Sequence, residues 1–198
     1  NVTQYTAPFG WITYPQAMAM WCRAHMVKYG LTKEQLGSVA ITFRENAMLN
    51  ERAMLRTPLT MDDYMNARKI VDPLGLNDIC LESDGACAVL ITSADRAKDM
   101  RHKPVYIMGG AYGGGMHQGE DLFDAIRWPD LSENFSKYIA DDLWRSAGIT
   151  PKDVDVAEIY DCFTYTVIMV LEGLGICKPG EAGAFCQEGG LKRDGLLP

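Results

Sequence analysis

The sequence lacks the spacings and biases that announce the commonest ligands. Lys and Arg number 19 against 26 Asp and Glu, a formal net charge of −7, so the broad basic surface that nucleic acid or an anionic membrane attracts is not expected. Local basic pockets for a phosphorylated ligand stay open. The six cysteines, at 22, 80, 87, 162, 177 and 186, form no Cys-x-x-Cys pair and show no His/Cys zinc spacing, so no metal site is expected. No apolar run approaches the roughly 20 residues that cross a bilayer; the stretch 167–171 falls far short. There is no repeat, no low-complexity linker and no secretory pattern at the start. Reduced thiols in a cytoplasmic protein are the expectation.

What is present belongs to a folded protein: 198 residues, 47% of them hydrophobic and 23% charged, enough for one domain or a tightly joined pair. The start at Asn1 without a methionine and the stop at Pro198 suggest a piece of a longer polypeptide. Residues 16–29 read as a helix with Ala17, Met20, Trp21, Ala24 and Val27 on one face and Gly30 as its stop. Thr32-Lys33-Glu34-Gln35 is a capping box opening a second helix, and Thr60-Met61-Asp62-Asp63 opens a third in the same way. A further helix is expected over 132–147, closed by Gly148, followed by a short turn at Thr150-Pro151-Lys152-Asp153.

Three segments read as strands. Residues 84–92, small and β-branched, suit a strand buried on both faces, and 104–109 lead into the glycine-rich run 109–115. That run fits neither Gly-x-Gly-x-x-Gly nor the P-loop, so it is read as a close backbone approach or a mobile loop, with phosphate cradling the lesser alternative. The third strand runs from Val156 to Tyr160, at the doorstep of a helix over 163–175 that carries one charge, Glu172, and is otherwise apolar almost all round, hence buried. Open α/β sheets place their chemistry at such strand ends.

Several segments together resemble the thiolase superfamily, in its lipid-transfer branch related to sterol carrier protein thiolases: Tyr5-Thr6-Ala7-Pro8-Phe9-Gly10, Arg44-Glu45-Asn46-Ala47-Met48-Leu49-Asn50, Ala67-Arg68-Lys69-Ile70-Val71-Asp72-Pro73-Leu74, Ser83-Asp84-Gly85-Ala86-Cys87-Ala88, and Glu158 to Thr164. The resemblance implies an α/β fold of two similar halves, each a mixed five-stranded sheet with helices, present here as an incomplete portion. Residues 1–100 would hold the loop region and end of the N-terminal half, and 101–198 an incomplete C-terminal half. The helix over 163–175 would be one of the buried central helices. An incomplete second sheet would leave an exposed edge and an open site.

The same resemblance bears on chemistry. Family thiolases carry Asn-Glu-Ala-Phe or His-Asp-Ala/Cys-Phe where this chain has Tyr160-Asp161-Cys162-Phe163, and the first residue there binds the thioester oxygen or orients a water. A tyrosine, with a pKa near 10, is a protonated donor. Tyr-Asp-Cys-Phe-Thr resembles most the thiolase-like aldolases of steroid side-chain degradation, which split a β-hydroxyacyl-CoA into a ketone and a shorter acyl-CoA. The implied reaction is that retro-aldol cleavage, with Tyr160 transferring a proton, no cofactor, and a CoA thioester as substrate. A thiolase-type acyltransferase acting on 3-oxoacyl-CoA, and a thiolase-like subunit that binds without catalysis, are the alternatives. The acyltransferase's hallmarks, a nucleophilic cysteine and a Gly-His-Pro motif, and the lyase's, a second tyrosine in their absence, would lie outside these residues. The resemblance also implies a homodimer and a small partner with an OB-like domain and a zinc ribbon.

Other candidates carry blander readings. His117, after the glycine run, is the one histidine in a plausible active-site loop, whereas His25 sits in a helix and His102 in a basic turn. Asp161 reads as a helix N-terminal cap. The cysteines read as small buried hydrophobes, with Cys162 a partial exception at a helix start.

Overall fold

The computed structural model describes residues 2–115 and 128–198. Capping chemistry sets the helix boundaries. Helix α1 (Tyr14–Tyr29) begins where the Gln16 side-chain oxygen accepts from the Ile12 and Thr13 backbone N–H groups at 2.8 and 3.0 Å. It ends at Gly30, whose φ of +75° suits glycine and whose N–H returns to the Met26 carbonyl. At α2 (Lys33–Met48), Thr32 and Gln35 exchange side-chain-to-backbone bonds at 3.2 and 3.0 Å. Thr60 and Asp63 do the same for α3 (Met61–Met65).

Beyond α3, β1 (Lys69–Val71) and β2 (Leu74–Gly75) make an antiparallel pair, and α4 (Ala94–Ala97) is one turn. The Asn134 side chain caps α5 (Phe135–Ala147) by accepting from the Ser136 N–H at 3.0 Å. Helices α6 (Thr164–Gly173) and α7 (Ala182–Gln187) complete the order. The expected helices therefore form, with shifts of a few residues at their ends.

Helix α6 is the core. Tyr165, Val167, Ile168 and Leu171 expose nothing, and each aliphatic side chain so buried contributes about 1.5–3 kcal/mol. Helices α2, α5 and α7 pack around it. Close crossings depend on small residues: a Cβ on Gly173 would collide with the Ser136 hydroxyl of α5. One on Gly109 would lie 2.4 Å from the Ala147 nitrogen, so this part of the glycine run is a close backbone approach.

Two expectations are corrected. The buried stripe of α1 runs through Ala17, Met18, Trp21, Cys22 and His25, while Met20 and Val27 face outward. The reason is polar: buried His25 Nε2 lies 2.9 Å from Glu172 Oε2, so the lone histidine of α1 and the lone charge of α6 pair inside the core. Secondly, residues 84–92, 104–109 and 156–160 have no strand ladder among the described residues. A strand exists only through a paired neighbour. Val89, Leu90 and Ile91 are 84%, 79% and 72% exposed, so residues whose composition suits a two-faced interior strand stand uncovered.

A second buried polar group fixes the site side of the fold. Asp78 is 1% exposed and accepts four hydrogen bonds: at Oδ1 from Tyr64 Oη (2.5 Å) and Thr164 Oγ1 (2.6 Å), and at Oδ2 from Lys33 Nζ and the Gly75 N–H (both 2.7 Å). Removing one partner of such a group strands the others. Asp78→Ala is expected to lower unfolding free energy by about 3–5 kcal/mol, read by urea denaturation. Asp72→Ala, which breaks only an exposed pair with Arg23, is expected to cost at most about 1 kcal/mol. Equal costs would refute the central place given to Asp78.

Candidate active site

Asp78 and Thr164 fasten the segment after β2 to the start of α6, and the chemistry-bearing residues follow from that clamp. Ile79 and Phe163 face each other in an antiparallel bridge, and the Cys80 N–H donates to the Cys162 carbonyl at 3.1 Å. Side chains alternate along extended chain. Tyr160 therefore comes beside Cys80, with its Oη 3.7 Å from Cys80 Sγ.

Next to this pair opens a cavity of about 470 Å³ between α2, the 53–59 loop and residues 76–83. Val39, Phe43, Met54 and Leu59 give it apolar walls, with Arg44, Cys80 and Asp161 among its lining. A mostly apolar cavity with a few polar groups suits a small-molecule ligand. Tyr160 is 72% exposed and is not part of the lining; Cys80 links the two.

Electrostatics separate the candidate groups. The Tyr160 phenol is held above its ordinary pKa, first by its hydrogen bond to Cys80 and then by the Cys80 and Cys162 thiols, so it remains a proton donor. Burial pushes Cys22 and Cys186 up to about 12 and Cys177 to about 11, which makes these three inert packing groups. Cys87 is exposed, and Cys80 and Cys162 are half-buried. Cys162 Sγ lies 3.3 Å from Thr166 Oγ1. His117 lies outside the described residues. Among those described, no three His, Cys, Asp or Glu side chains gather as a metal ion would require, and no helix is long and apolar enough to cross a membrane.

Asp161 is not the cap of α6. Phe163 takes the N-cap position without a side-chain bond, and the Thr164 hydroxyl goes to Asp78. Asp161 instead lines the cavity, half-buried, and burial raises its carboxyl pKa.

Comparison with known proteins fits this geometry. Residues 119–198 match the family described as Thiolase C-terminal domain-like. A solved Ltp2-ChsH2(DUF35) aldolase superposes with a TM-score of 0.90 at 36% identity, covering 97% of this chain and 50% of that one. The chain is thus similar to thiolase-superfamily proteins over almost its whole length. It is 38% identical to a steroid side-chain-cleaving aldolase of Thermomonospora curvata over 96% of its own length and 49% of that protein. It is also 36% identical to an acetyl-CoA acetyltransferase of Methanothermobacter thermautotrophicus, over 94% of itself and 48% of the relative. This thiolase-fold chain thus spans about half the length of the curated relatives it matches.

The corrected role of Asp161 in the thiolase-like site is testable. A raised carboxyl pKa means that folding penalises the ionised form, so stability at this position is gained as pH falls through the folded-state value and is lost above it. At neutral pH Asp161→Asn is expected to leave the thermal midpoint unchanged or raise it. A drop on the scale of a lost helix cap, about 1 kcal/mol, would restore the capping role.

Proposed function

We propose that this chain carries part of the active site of a thiolase-like carbon–carbon lyase, which cleaves a β-hydroxyacyl-CoA with a steroid-type side chain by a retro-aldol reaction. The observation that carries this reading is Tyr160: a phenol kept protonated by its neighbours, beside an apolar cavity, in the segment where the resemblance puts the residue that binds the thioester oxygen. In the reaction the β-hydroxyl loses its proton, the bond between the α and β carbons breaks, and the electron pair moves into a thioester enolate. Protonation of the α carbon then releases the ketone and the shorter acyl-CoA. Tyr160 can donate to the enolate oxygen or return the proton to carbon.

The CoA thioester is the substrate in this reading, and no cofactor takes part. The division at residues 1–100 and 101–198, a homodimer and a cytoplasmic location belong to the same proposal. So does an OB-fold and zinc-ribbon partner; a solved relative named for two components, Ltp2 and ChsH2(DUF35), supports a second subunit. The acetyltransferase relative keeps a second reading, acyl transfer through a cysteine nucleophile. The high pKa values of Cys22, Cys177 and Cys186 remove three thiols from that role.

The deciding assay supplies the complete enzyme with a hydroxylated steroid acyl-CoA and measures ketone release, in parallel with CoA-dependent thiolysis of a 3-oxoacyl-CoA. Ketone release is expected, and Tyr160→Phe is expected to lower it by about 10²–10⁴-fold. Near-normal cleavage by Tyr160→Phe overturns the assignment of Tyr160, and thiolysis without ketone release favours the transferase.

A further inference from the structure

We propose that Cys80 is a positioning residue for Tyr160: its thiol tethers the tyrosine hydroxyl at the rim of the apolar cavity. The inference rests on the proton-transfer reading of Tyr160 and adds a residue that neither the resemblance nor the comparisons assign.

Three observations converge on Cys80. The first is register. The bridge between Ile79 and Phe163 and the bond from the Cys80 N–H to the Cys162 carbonyl fix the two segments side by side. Ile79 and Phe163 turn into the core, so alternation turns Cys80 the other way, toward Tyr160. The second is contact. The Tyr160 ring is largely in solvent, and among the described residues Cys80 Sγ, at 3.7 Å, is the hydrogen-bond partner of its hydroxyl. The third is location: Cys80 lines the cavity and Tyr160 does not, so the thiol connects the hydroxyl to the space that a ligand would fill.

The other thiols are differently occupied. Cys162, across the bridge, lies against Thr166, and Cys22, Cys177 and Cys186 are buried. A solvent-exposed ring without a tether samples several rotamers, whereas proton transfer requires hydrogen-bond reach to the reacting atom. Holding the ring is therefore a contribution to kcat more than to binding. The bond to Cys80 is also the largest cause of the raised Tyr160 pKa, which extends the pH range over which the phenol stays protonated.

The test uses Cys80→Ala, Cys80→Val and Cys80→Ser in the complete enzyme, with ketone release from a hydroxylated steroid acyl-CoA as the readout. Alanine and valine are expected to lower kcat about tenfold with KM little changed, since the loss is one of orientation. In both variants the alkaline limb of the kcat profile is expected to move to lower pH, because the phenol now deprotonates earlier. Alanine leaves less than the volume of the thiol and valine fills more than it, so a loss common to both separates hydrogen bonding from packing, while serine is expected to restore most of the rate. In a Tyr160→Phe background Cys80→Ala is expected to add no further loss. If Cys80→Ala and Cys80→Val keep the parent kcat and alkaline limb while Tyr160→Phe is inactive, the role of Cys80 is overturned and that of Tyr160 stands. If Tyr160→Phe retains activity, both fall.

Discussion

The buried carboxylate of Asp78 is the constraint on which the site side of this structure depends. Leaving water is costly for a carboxylate, and the cost is offset only when its lone pairs are filled. Here four donors fill them, and they come from different places: Lys33 at the start of α2, Tyr64 in α3, the backbone of Gly75 in β2, and Thr164 in the first turn of α6. Burial, with the adjacent Asp78 carboxylate, pushes the Tyr64 phenol well up, so it acts as donor in this group. The network is less a source of net stability than a device for register. Any slip of α6 along the segment after β2 would strip the buried carboxylate of its Thr164 donor.

That register decides the site. Asp78 lies two residues before Cys80 and Thr164 four after Tyr160, so the clamp holds both strands of the bridge close to the reactive groups. The clamped end is buried and fully bonded, whereas the working end is exposed and holds Tyr160 by one weak contact. A site that must admit and release a ligand is served by this division, with rigidity supplied from inside and freedom kept at the rim.

Local chemistry was legible in the sequence, and convergence was not. The Thr32/Gln35 and Thr60/Asp63 boxes, the Gly30 and Gly148 stops and the all-round apolarity of α6 act within a few residues, and the structure repeats them. The glycine run at 109 was likewise readable as a close approach. Asp78 gave no warning, because its four partners are 3, 14, 45 and 86 residues away. His25 and Glu172 did carry a signal: one is the only histidine of α1 and the other the only charge of α6, and pairing the two would have corrected the stripe assigned to α1. The segments 84–92, 104–109 and 156–160 differ in another way. Their composition records the surroundings of a strand, but a ladder is a property of two chains side by side, and the described residues supply none.

The position of Asp161 bears on the choice between chemistries. In a helix cap the carboxylate would be consumed by backbone N–H groups. With the cap role gone, Asp161 faces an apolar cavity where burial favours its protonated form, next to a tyrosine that is also kept protonated. Two neighbouring groups biased toward holding protons are what the proposed enolate chemistry would draw on. Tyr160 and Asp161 thus share one direction, each held above its ordinary pKa, Tyr160 first by the bond to Cys80 and Asp161 by burial.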